Sequence, residues 1–188
     1  MNHPFIDRFV VITGGPGSGK TTLIDALEAA GFDRTVEAGR AIIRDEVAAG
    51  GDALPWGDRE AFAERMLDRD VRTYTTVCRV AEECDGPIFF DRGVPDVIGY
   101  RRLVGLPVPA ALDAAARRHR YHPRVFLAPP WPEIFHGDTE RRQDFAEAVR
   151  TCEAMRTVYG DYGYEVVELP KARVAERVAF VLAENQRG

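Results

Sequence analysis

The sequence feature that most constrains the fold is a glycine-rich run between an apolar segment and an amphipathic one. This run, Gly-Gly-Pro-Gly-Ser-Gly-Lys-Thr at positions 14–21, matches the pattern G-x-x-x-x-G-K-[ST] completely. The β-branched segment 9–13 before it is typical of a buried parallel strand, and apolar residues recur at helical spacing through 21–30. The alternative, a glycine-rich turn with an incidental lysine, does not explain the complete motif in this setting. The order of strand, loop and helix therefore predicts a phosphate-binding loop.

Each part of this loop has a predicted role. Its glycines let backbone N–H groups point at anionic oxygens beside a helix N-terminus, so we expect the loop to bind the phosphates of ATP. Lys20 is expected to reach the β- and γ-phosphates, and the Thr21 hydroxyl to bind Mg²⁺. Thr22 either contacts phosphate or satisfies its own helix backbone. The predicted ATP-binding residues here are Gly14, Gly15, Pro16, Gly17, Ser18, Gly19, Lys20, Thr21 and Thr22.

The rest of the chain alternates short apolar runs with amphipathic segments. Further strands are predicted at 35–37, 88–91, 124–128 and 164–169. Helices are predicted between them, including a long one from Asp58 to about Cys84. This alternation predicts an α/β fold with three α/β/α layers, in which helices cover both faces of a five-stranded parallel sheet. The phosphate-binding loop implies the P-loop NTPase fold, for which we expect the strand order 2-3-1-4-5. We expect one domain over 1–188, with a helical lid at about 136–160.

Composition narrows the class of protein. A chain of 188 residues fits one globular domain, and no apolar run reaches the length of a membrane-spanning helix, so we expect a soluble protein without membrane insertion. The N-terminus lacks the pattern of a secretory signal, which predicts a cytoplasmic location. The net charge of -5 argues against nonspecific nucleic-acid binding. Three cysteines without CxxC spacing indicate neither disulfides nor a zinc site, and nothing indicates the oligomeric state.

Missing motifs disfavour several classes of phosphate-loop protein. A GTPase should carry an N-K-x-D element after the fourth strand, where this chain has Ala-Pro-Pro-Trp-Pro at 128–132. The D-x-x-G spacing at Asp96–Gly99 follows Pro95 in a predicted helix, so we interpret that match as chance. The chain also lacks the L-S-G-G-Q signature of a transporter ATPase and is too short for the extra helical domain of a ring-forming ATPase. ATP is therefore the expected nucleotide.

The remaining pattern resembles the small-molecule kinases of the P-loop class, which include nucleoside, nucleotide and shikimate kinases. Asp91-Arg92-Gly93 resembles the Asp-Arg pair of thymidylate-type kinases and the related Glu-Arg pair of deoxynucleoside kinases. The segment 139–142, Thr-Glu-Arg-Arg, is placed like the arginine-bearing lid of these enzymes. The resemblance implies transfer of the γ-phosphoryl group of ATP to a small acceptor.

Nearly the whole chain is also similar to a family of small bacterial AAA-type predicted ATPases, AAA_28-like, related to the ribosylnicotinamide kinase domain of a bacterial NAD regulator. The matching stretches are 11–22, 37–40, 90–96, 125–131 and 168–171. A eukaryotic relative resembles a GTP- and phosphoinositide-binding protein. The family therefore leaves the substrate open and keeps a non-kinase function in view.

Two carboxylates have the placement that phosphoryl transfer needs. Asp91, at the end of the third strand, is expected to bind Mg²⁺ or act as base, although it could instead cap the next helix. Glu37, at the end of the second strand, is the candidate for binding the acceptor hydroxyl and taking its proton. The alternative for Glu37 is a solvated salt bridge to Arg40. Which carboxylate is base and which binds metal is left open.

Arginines supply candidate contacts for anionic groups. Arg40 and Arg44 share one helical face just after Glu37, so both are expected to bind the acceptor unless they are ordinary surface cations. Arg92 is expected to contact phosphate, or else to pair structurally with Asp91 or Asp96. Two arginines in the predicted lid are candidates for contact with the transferring phosphoryl group, or for a solvated helix end: Arg141 and Arg142.

Other contacts are predicted more generally. The loop 169–172 occupies the place where related kinases bind adenine, which makes Pro170 and Lys171 candidate ATP contacts. Three aromatic residues are expected in the core rather than stacked on a planar acceptor: Trp56, Trp131 and Tyr100.

These predictions favour an ATP-dependent small-molecule kinase acting on a nucleoside-like or other small acceptor. The alternative is a regulatory NTPase or nucleotide switch that binds a protein or a lipid headgroup. A purely structural nucleotide is disfavoured because Lys20, Thr21 and Asp91 together form a metal–phosphate site. Glu37 discriminates between the first two, since only a kinase base should matter for turnover.

Overall fold

The computed structural model describes residues 4–84, 86–135 and 144–186, in which strands alternate with helices. The strands are β1 (Phe9–Gly14), β2 (Asp33–Arg34), β3 (Ile88–Asp91), β4 (Arg124–Ala128) and β5 (Glu165–Glu168). The helices are α1 (Lys20–Ala29), α2 (Ala38–Ala49), α3 (Arg59–Val80), α4 (Val94–Leu103), α5 (Ala110–Arg118), α6 (Phe145–Asp161) and α7 (Val174–Asn185). Short 3-10 turns lie at Ile6–Arg8 and Pro132–Ile134.

All strand pairs in the sheet are parallel, and the strand order is β2-β3-β1-β4-β5, as the sequence predicts. Ile12 of β1 lies beside Asp91 of β3 on one side and Phe126 of β4 on the other. The carboxyl ends of these three strands therefore meet at one edge. In open parallel sheets this edge is where ligands bind, at the point where the strand order reverses direction.

Side chains of β1 point alternately to the two faces of the sheet and build two separate parts of the core. Val11 packs with Phe90 and Val125 in a cluster that includes residues of α3, α4, α5 and α6. Ile12 packs with Phe89 in a second cluster, covered by α1 and α7. Because β1 is buried on both faces, its sequence is a nearly continuous apolar run and does not alternate between apolar and polar residues.

The second strand differs from its prediction. It was expected at 35–37, but it comprises only Asp33 and Arg34. Thr35 still donates its backbone N–H to Phe89, but its side-chain oxygen accepts the N–H of Asp91, 3.1 Å away, and Val36 is exposed. The ladder ends there because a hydroxyl takes the position of a backbone acceptor. Glu37 therefore does not end a strand, and instead precedes the first turn of α2.

The long helix α3 begins as predicted but ends earlier. Asp58 caps its N-terminus by accepting a hydrogen bond from the N–H of Ala61 at 2.9 Å. It ends at Val80 rather than near Cys84. The guanidinium of Arg8 donates to the carbonyl oxygens of Ala81 and Cys84, so these groups are satisfied without another helical turn.

The predicted lid at about 136–160 falls into two parts. Residues 136–143 lie outside the described residues. Residues 145–160 belong to α6, whose buried face packs against α4, β1, β4 and β5. Asp144 caps the helix through the N–H of Glu147, which marks a regular helix start. This second part of the predicted lid is thus a packed helix of the core. None of the helices in the described ranges has the length and apolar character needed to cross a membrane.

Candidate functional site

The phosphate-binding loop, residues 14–21, curls tightly at the end of β1. Gly14, Gly17 and Gly19 have φ values of 134°, 65° and 74°, which favour glycine. A β-carbon on Gly14 or Gly15 would overlap a backbone carbonyl oxygen, that of Ala128 or Ala148 respectively. Gly19 is also the N-cap of α1, so the positive end of this helix adjoins the loop. The glycines are thus required both by backbone conformation and by close neighbours.

Polar side chains of the loop converge on one carbonyl. The buried ammonium of Lys20 donates to the oxygen of Gly15 at 2.9 Å, and the hydroxyl of Ser18 donates to the same oxygen at 2.8 Å. Thr21 and Thr22 are exposed on the first turn of α1. A curled backbone, a lysine ammonium and a helix N-terminus in one place form an arrangement that suits a chain of phosphate groups.

Arg92 follows β3 and joins two carboxylates. Its Nε donates to Oε1 of Glu37 and its Nη1 to Oδ1 of Asp96, each at 2.9 Å. Its φ of 71° is left-handed, a conformation that costs a non-glycine residue about 1–3 kcal/mol and is enriched at functional sites. Burial by itself lowers the pKa of Arg92, but Glu37, Asp96 and Asp91 outweigh that effect and raise it, so the guanidinium stays charged.

Asp96 is the centre of a buried hydrogen-bond network. Besides the bond from Arg92, it accepts bonds from the hydroxyl of Thr13 at 2.5 Å, the hydroxyl of Tyr159 at 2.6 Å and the N–H of Gly93 at 3.1 Å. These donors lie on β1, on α6 and at the start of α4. Asp96 therefore fixes Arg92 relative to the sheet. We had interpreted the D-x-x-G spacing that begins at Asp96 as chance, and this role was not predicted. The available signal was its place three residues after Gly93, the acidic position of a capping box.

Asp70 was not singled out from the sequence. It lies on α3 in line with Phe62 and Met66, at successive intervals of four residues, and is half-buried. Burial raises the pKa of its carboxyl well above the ordinary value, and the negative charge of Asp96 adds to this rise. The signal that could have found it is its place on one helical stripe with Phe62 and Met66.

We call Glu37, Asp70, Asp91 and Asp96 the acidic cluster. The negative charges of Glu37, Asp91 and Asp96 act on both Arg92 and Asp70, and the charge of Arg92 partly offsets them at Asp70. Asp91 is buried at the end of β3, next to the strand that leads into the phosphate-binding loop. Within the described ranges, no group of three or more His, Cys, Asp or Glu residues is arranged to bind a metal by itself. Mg²⁺ commonly uses one or two protein oxygens together with phosphate and water.

A pocket that is partly open to solvent lies beside Glu37 and Arg92. We call it the central pocket. Its other walls come from the phosphate-binding loop and from α2, α3, α4 and α6: Pro16, Gly39, Ile43, Phe62, Met66, Asp96, Tyr100, Leu103, Thr151 and Met155, together with Pro55. It is therefore mainly apolar, with charged groups at one end.

Two hydroxyl groups in the wall of the central pocket are buried and have no hydrogen-bond partner in the part of the chain that the structure describes: those of Tyr100 and Thr151. Burial raises the pKa of Tyr100 to about 12, so its hydroxyl remains a neutral donor. The Tyr100 ring also meets Phe62 edge-on, with the ring centroids 5.3 Å apart. Tyr100 was expected in the core, and it is in fact both packed and part of the pocket wall.

Other predicted site residues lie further out. Arg40 pairs with Glu37 at 3.9 Å, but Glu37 is buried, so this pair is not the solvated salt bridge of the alternative prediction. Arg44 is exposed on α2. Pro170 and Lys171 follow β5, at the same edge of the sheet as the phosphate-binding loop. Trp56 and Trp131 are partly exposed rather than buried in the core. Arg141 and Arg142 lie outside the described residues.

Solved structures similar to this chain in fold include two complexes of a deoxyadenosine kinase and one of NadR protein. Deoxyadenosine kinase from M. mycoides, with the products dCMP and a flexible dCDP bound, is 12% identical, with a TM-score of 0.68, and the match covers 96% of this chain and 100% of that one. The same kinase with bound dATP has a TM-score of 0.54 at 10% identity, over 95% and 99% of the two chains. NadR protein in complex with NR has a TM-score of 0.69 at 20% identity.

The match to NadR covers 100% of this chain but only 54% of NadR, so this chain spans about half of that protein. At these identities the likeness establishes the fold, which is that of P-loop kinases. No curated protein matches the chain by sequence. A family model does match, over residues 9–177, and its description is AAA domain. Since this match includes most of the sequence, the chain belongs to the AAA_28 family of AAA domains.

Proposed function

We propose that the protein is an ATP-dependent kinase that phosphorylates a hydroxyl group of a small, nucleoside-like acceptor in the central pocket. The observation that carries this proposal is that the central pocket adjoins both the phosphate-binding loop, proposed to hold the phosphate donor, and the residues proposed to act on the acceptor. Pro16 of the phosphate-binding loop forms part of its wall, and Glu37 and Arg92 form another part. A reacting hydroxyl bound there lies between the donor loop and a buried carboxylate.

The donor side is assigned to the phosphate-binding loop. ATP with Mg²⁺ supplies the transferable γ-phosphoryl group and neutralises part of its charge. Residues 14–22 bind the phosphates, and Lys20 leaves the carbonyl of Gly15 to contact them. The hydroxyl of Thr21 and the carboxylate of Asp91 are the oxygen groups proposed to bind Mg²⁺. Pro170 and Lys171 contact the adenine, and the lid arginines Arg141 and Arg142 contact the phosphates.

The acceptor side is assigned to Glu37 and Arg92. Glu37 binds the acceptor hydroxyl and takes its proton, because its carboxylate is buried beside the pocket and fixed by Arg92. Asp96 fixes Arg92 in turn, so the base is oriented through two successive ion pairs. Arg40 and Arg44, both on α2, are proposed to contact anionic groups of the acceptor.

The remaining wall of the central pocket indicates what kind of acceptor fits. Phe62, Met66 and Met155 present apolar and sulfur-containing surfaces suited to a flat ring. The hydroxyls of Tyr100 and Thr151 are available for the polar edge of that ring. This combination supports a nucleoside-like molecule, which accords with the nucleoside-related ligands of the structures with the same fold.

The test is ATP turnover with Mg²⁺ against a panel of nucleosides, nucleotides, nicotinamide riboside and sugars. We expect one acceptor to raise turnover and to yield a phosphorylated product, and Lys20→Ala and Glu37→Gln each to lose this product. Glu64→Gln, a change at an exposed position of α3, is the matched control and should retain activity.

The contrary result is slow turnover with every acceptor that Lys20→Ala abolishes and Glu37→Gln leaves unchanged. That pattern would replace the kinase proposal with a nucleotide switch, and protein or lipid partners would then be sought.

A further inference from the structure

Arg177 on α7 is a basic side chain that the proposed function does not use. It is only 3% exposed, although it carries a guanidinium. Its Nη1 lies 3.3 Å from the carbonyl oxygens of Ser18 and Gly19, longer than the usual distance of about 2.9 Å for such a bond. Within the described ranges no carboxylate forms an ion pair with it. The phosphate-binding loop is thus its main polar contact.

The rest of this guanidinium is unsatisfied. Nε and Nη2 are buried and have no hydrogen-bond partner in the described structure. Burial lowers the pKa of Arg177, and among the described residues no negative charge opposes that change. An unpaired buried charge costs several kcal/mol, and an apolar side chain of similar volume would avoid that cost. Packing alone therefore does not account for an arginine at this position.

The position of Arg177 indicates what it could bind. A β-carbon built on Gly19 would lie 2.7 Å from Nη1 of Arg177, so the guanidinium rests against the last turn of the phosphate-binding loop. Gly19 is also the N-cap of α1, where the helix adds positive potential. The Nε–Nη2 edge of arginine presents two parallel N–H donors, a geometry that matches two oxygens of one phosphate group.

We propose that Arg177 is a phosphate-binding residue of the nucleotide site and uses Nε and Nη2 for this contact. The inference rests on nucleotide binding by the loop, which is part of the proposed function, but not on transfer to an acceptor. Ile134 and Phe135 lie over the same loop, each within contact distance of a β-carbon built on Gly19 or Gly17. We therefore expect these two side chains to shift when a phosphate contacts Arg177.

The test measures binding and stability separately, without an acceptor. Arg177→Met removes the charge and fills a similar volume, and Arg79→Met, at an exposed position of α3, is the matched control. The dissociation constants for ATP and for tripolyphosphate are measured by calorimetry, and the Tm is measured without ligand. We expect Arg177→Met to weaken both ligands about tenfold or more, as for loss of charge-assisted hydrogen bonds, with an unchanged or higher Tm.

Three results would overturn the inference. Unchanged binding of both ligands removes Arg177 from the site. Weaker binding of ATP alone, with tripolyphosphate unaffected, shows that Arg177 contacts the base or the sugar rather than the phosphates. If Arg177→Met shows a large fall in Tm without ligand, or fails to fold, Arg177→Lys is measured in its place. If Arg177→Lys then folds and binds both ligands normally, the arginine supports the structure of the loop and does not bind phosphate.

Failure of the proposed function would look different. If the unsubstituted protein binds neither ligand, both this inference and the kinase proposal fail. If it binds both ligands through Arg177 but phosphorylates no acceptor, only the kinase proposal fails.

Discussion

Replacing Asp96 with asparagine tests whether this carboxylate organises the centre of the protein. Asp96 Oδ1 accepts bonds from Thr13 and Arg92, and Oδ2 accepts bonds from Tyr159 and the backbone of Gly93. Asparagine keeps one acceptor oxygen and presents an NH₂ group in place of the other, so two buried donors lose their acceptor. At about 1–3 kcal/mol for each unsatisfied group, the expected loss of stability is about 2–6 kcal/mol.

The assay is thermal and urea denaturation of the variant beside the unsubstituted protein at the same pH. For a chain of this length about 1 kcal/mol corresponds to roughly 2–4 °C, so Tm should fall by about 5–20 °C. Tyr159→Phe is the matched control, because it removes one donor and leaves the carboxylate with three. That change should cost about 0.5–1.5 kcal/mol. The reasoning is refuted if Asp96→Asn loses no more stability than Tyr159→Phe.

Further predictions address the titration of Asp70, the phosphate-binding loop and the central pocket. The pKa of Asp70 is raised above its ordinary value of 3.8, so the folded protein loses stability as pH rises from about 4 through the raised value. Asp70→Asn should remove this loss, and its stability advantage in urea denaturation should grow over that pH window; an advantage independent of pH would contradict the assignment. Gly15→Ala should abolish ATP binding in calorimetry, because its β-carbon would overlap the carbonyl of Ala148; binding within threefold of normal would show that the loop adapts. Tyr100→Phe should raise the KM for the acceptor about tenfold and leave that for ATP unchanged, since its hydroxyl has no hydrogen-bond partner among the described residues; an equal effect on both would place Tyr100 outside the acceptor site.

Local patterns were sufficient to predict much of the fold. The phosphate-binding loop has a fixed length and fixed glycine positions, and each strand is a short apolar run with turn residues beside it. Together with alternating helices, these patterns led to the parallel sheet that the structure has, and the fold class implied by the loop led to its strand order. The errors lie at the ends of helices and strands. Thr35 ends β2 through a side-chain hydrogen bond, and Arg8, which is distant in sequence, donates to the carbonyl group that follows α3.

The centre of the candidate site could not be predicted in the same way, because its partners are distant in sequence. Thr13 and Asp96 are 83 positions apart, and Arg177 is 159 positions from Ser18. Nothing in the local pattern around Asp96 or Arg177 indicates which side chains face them. Glu37 and Arg92 were predicted separately as site residues, but the bond between them appears only when β3 and the start of α2 are placed together.

The packing of α6 against the phosphate-binding loop has a consequence for substrate size. Ala148 contacts Gly15 through its backbone, and one to two turns further along the same helix Thr151 and Met155 line the central pocket. A continuous helix is stiff, so the separation between the donor loop and the far wall of the pocket is set by a fixed number of residues. For the proposed kinase reaction, we therefore expect discrimination among acceptors by the length of the link between ring and hydroxyl, and one extra methylene should place the hydroxyl out of line with the donor phosphate.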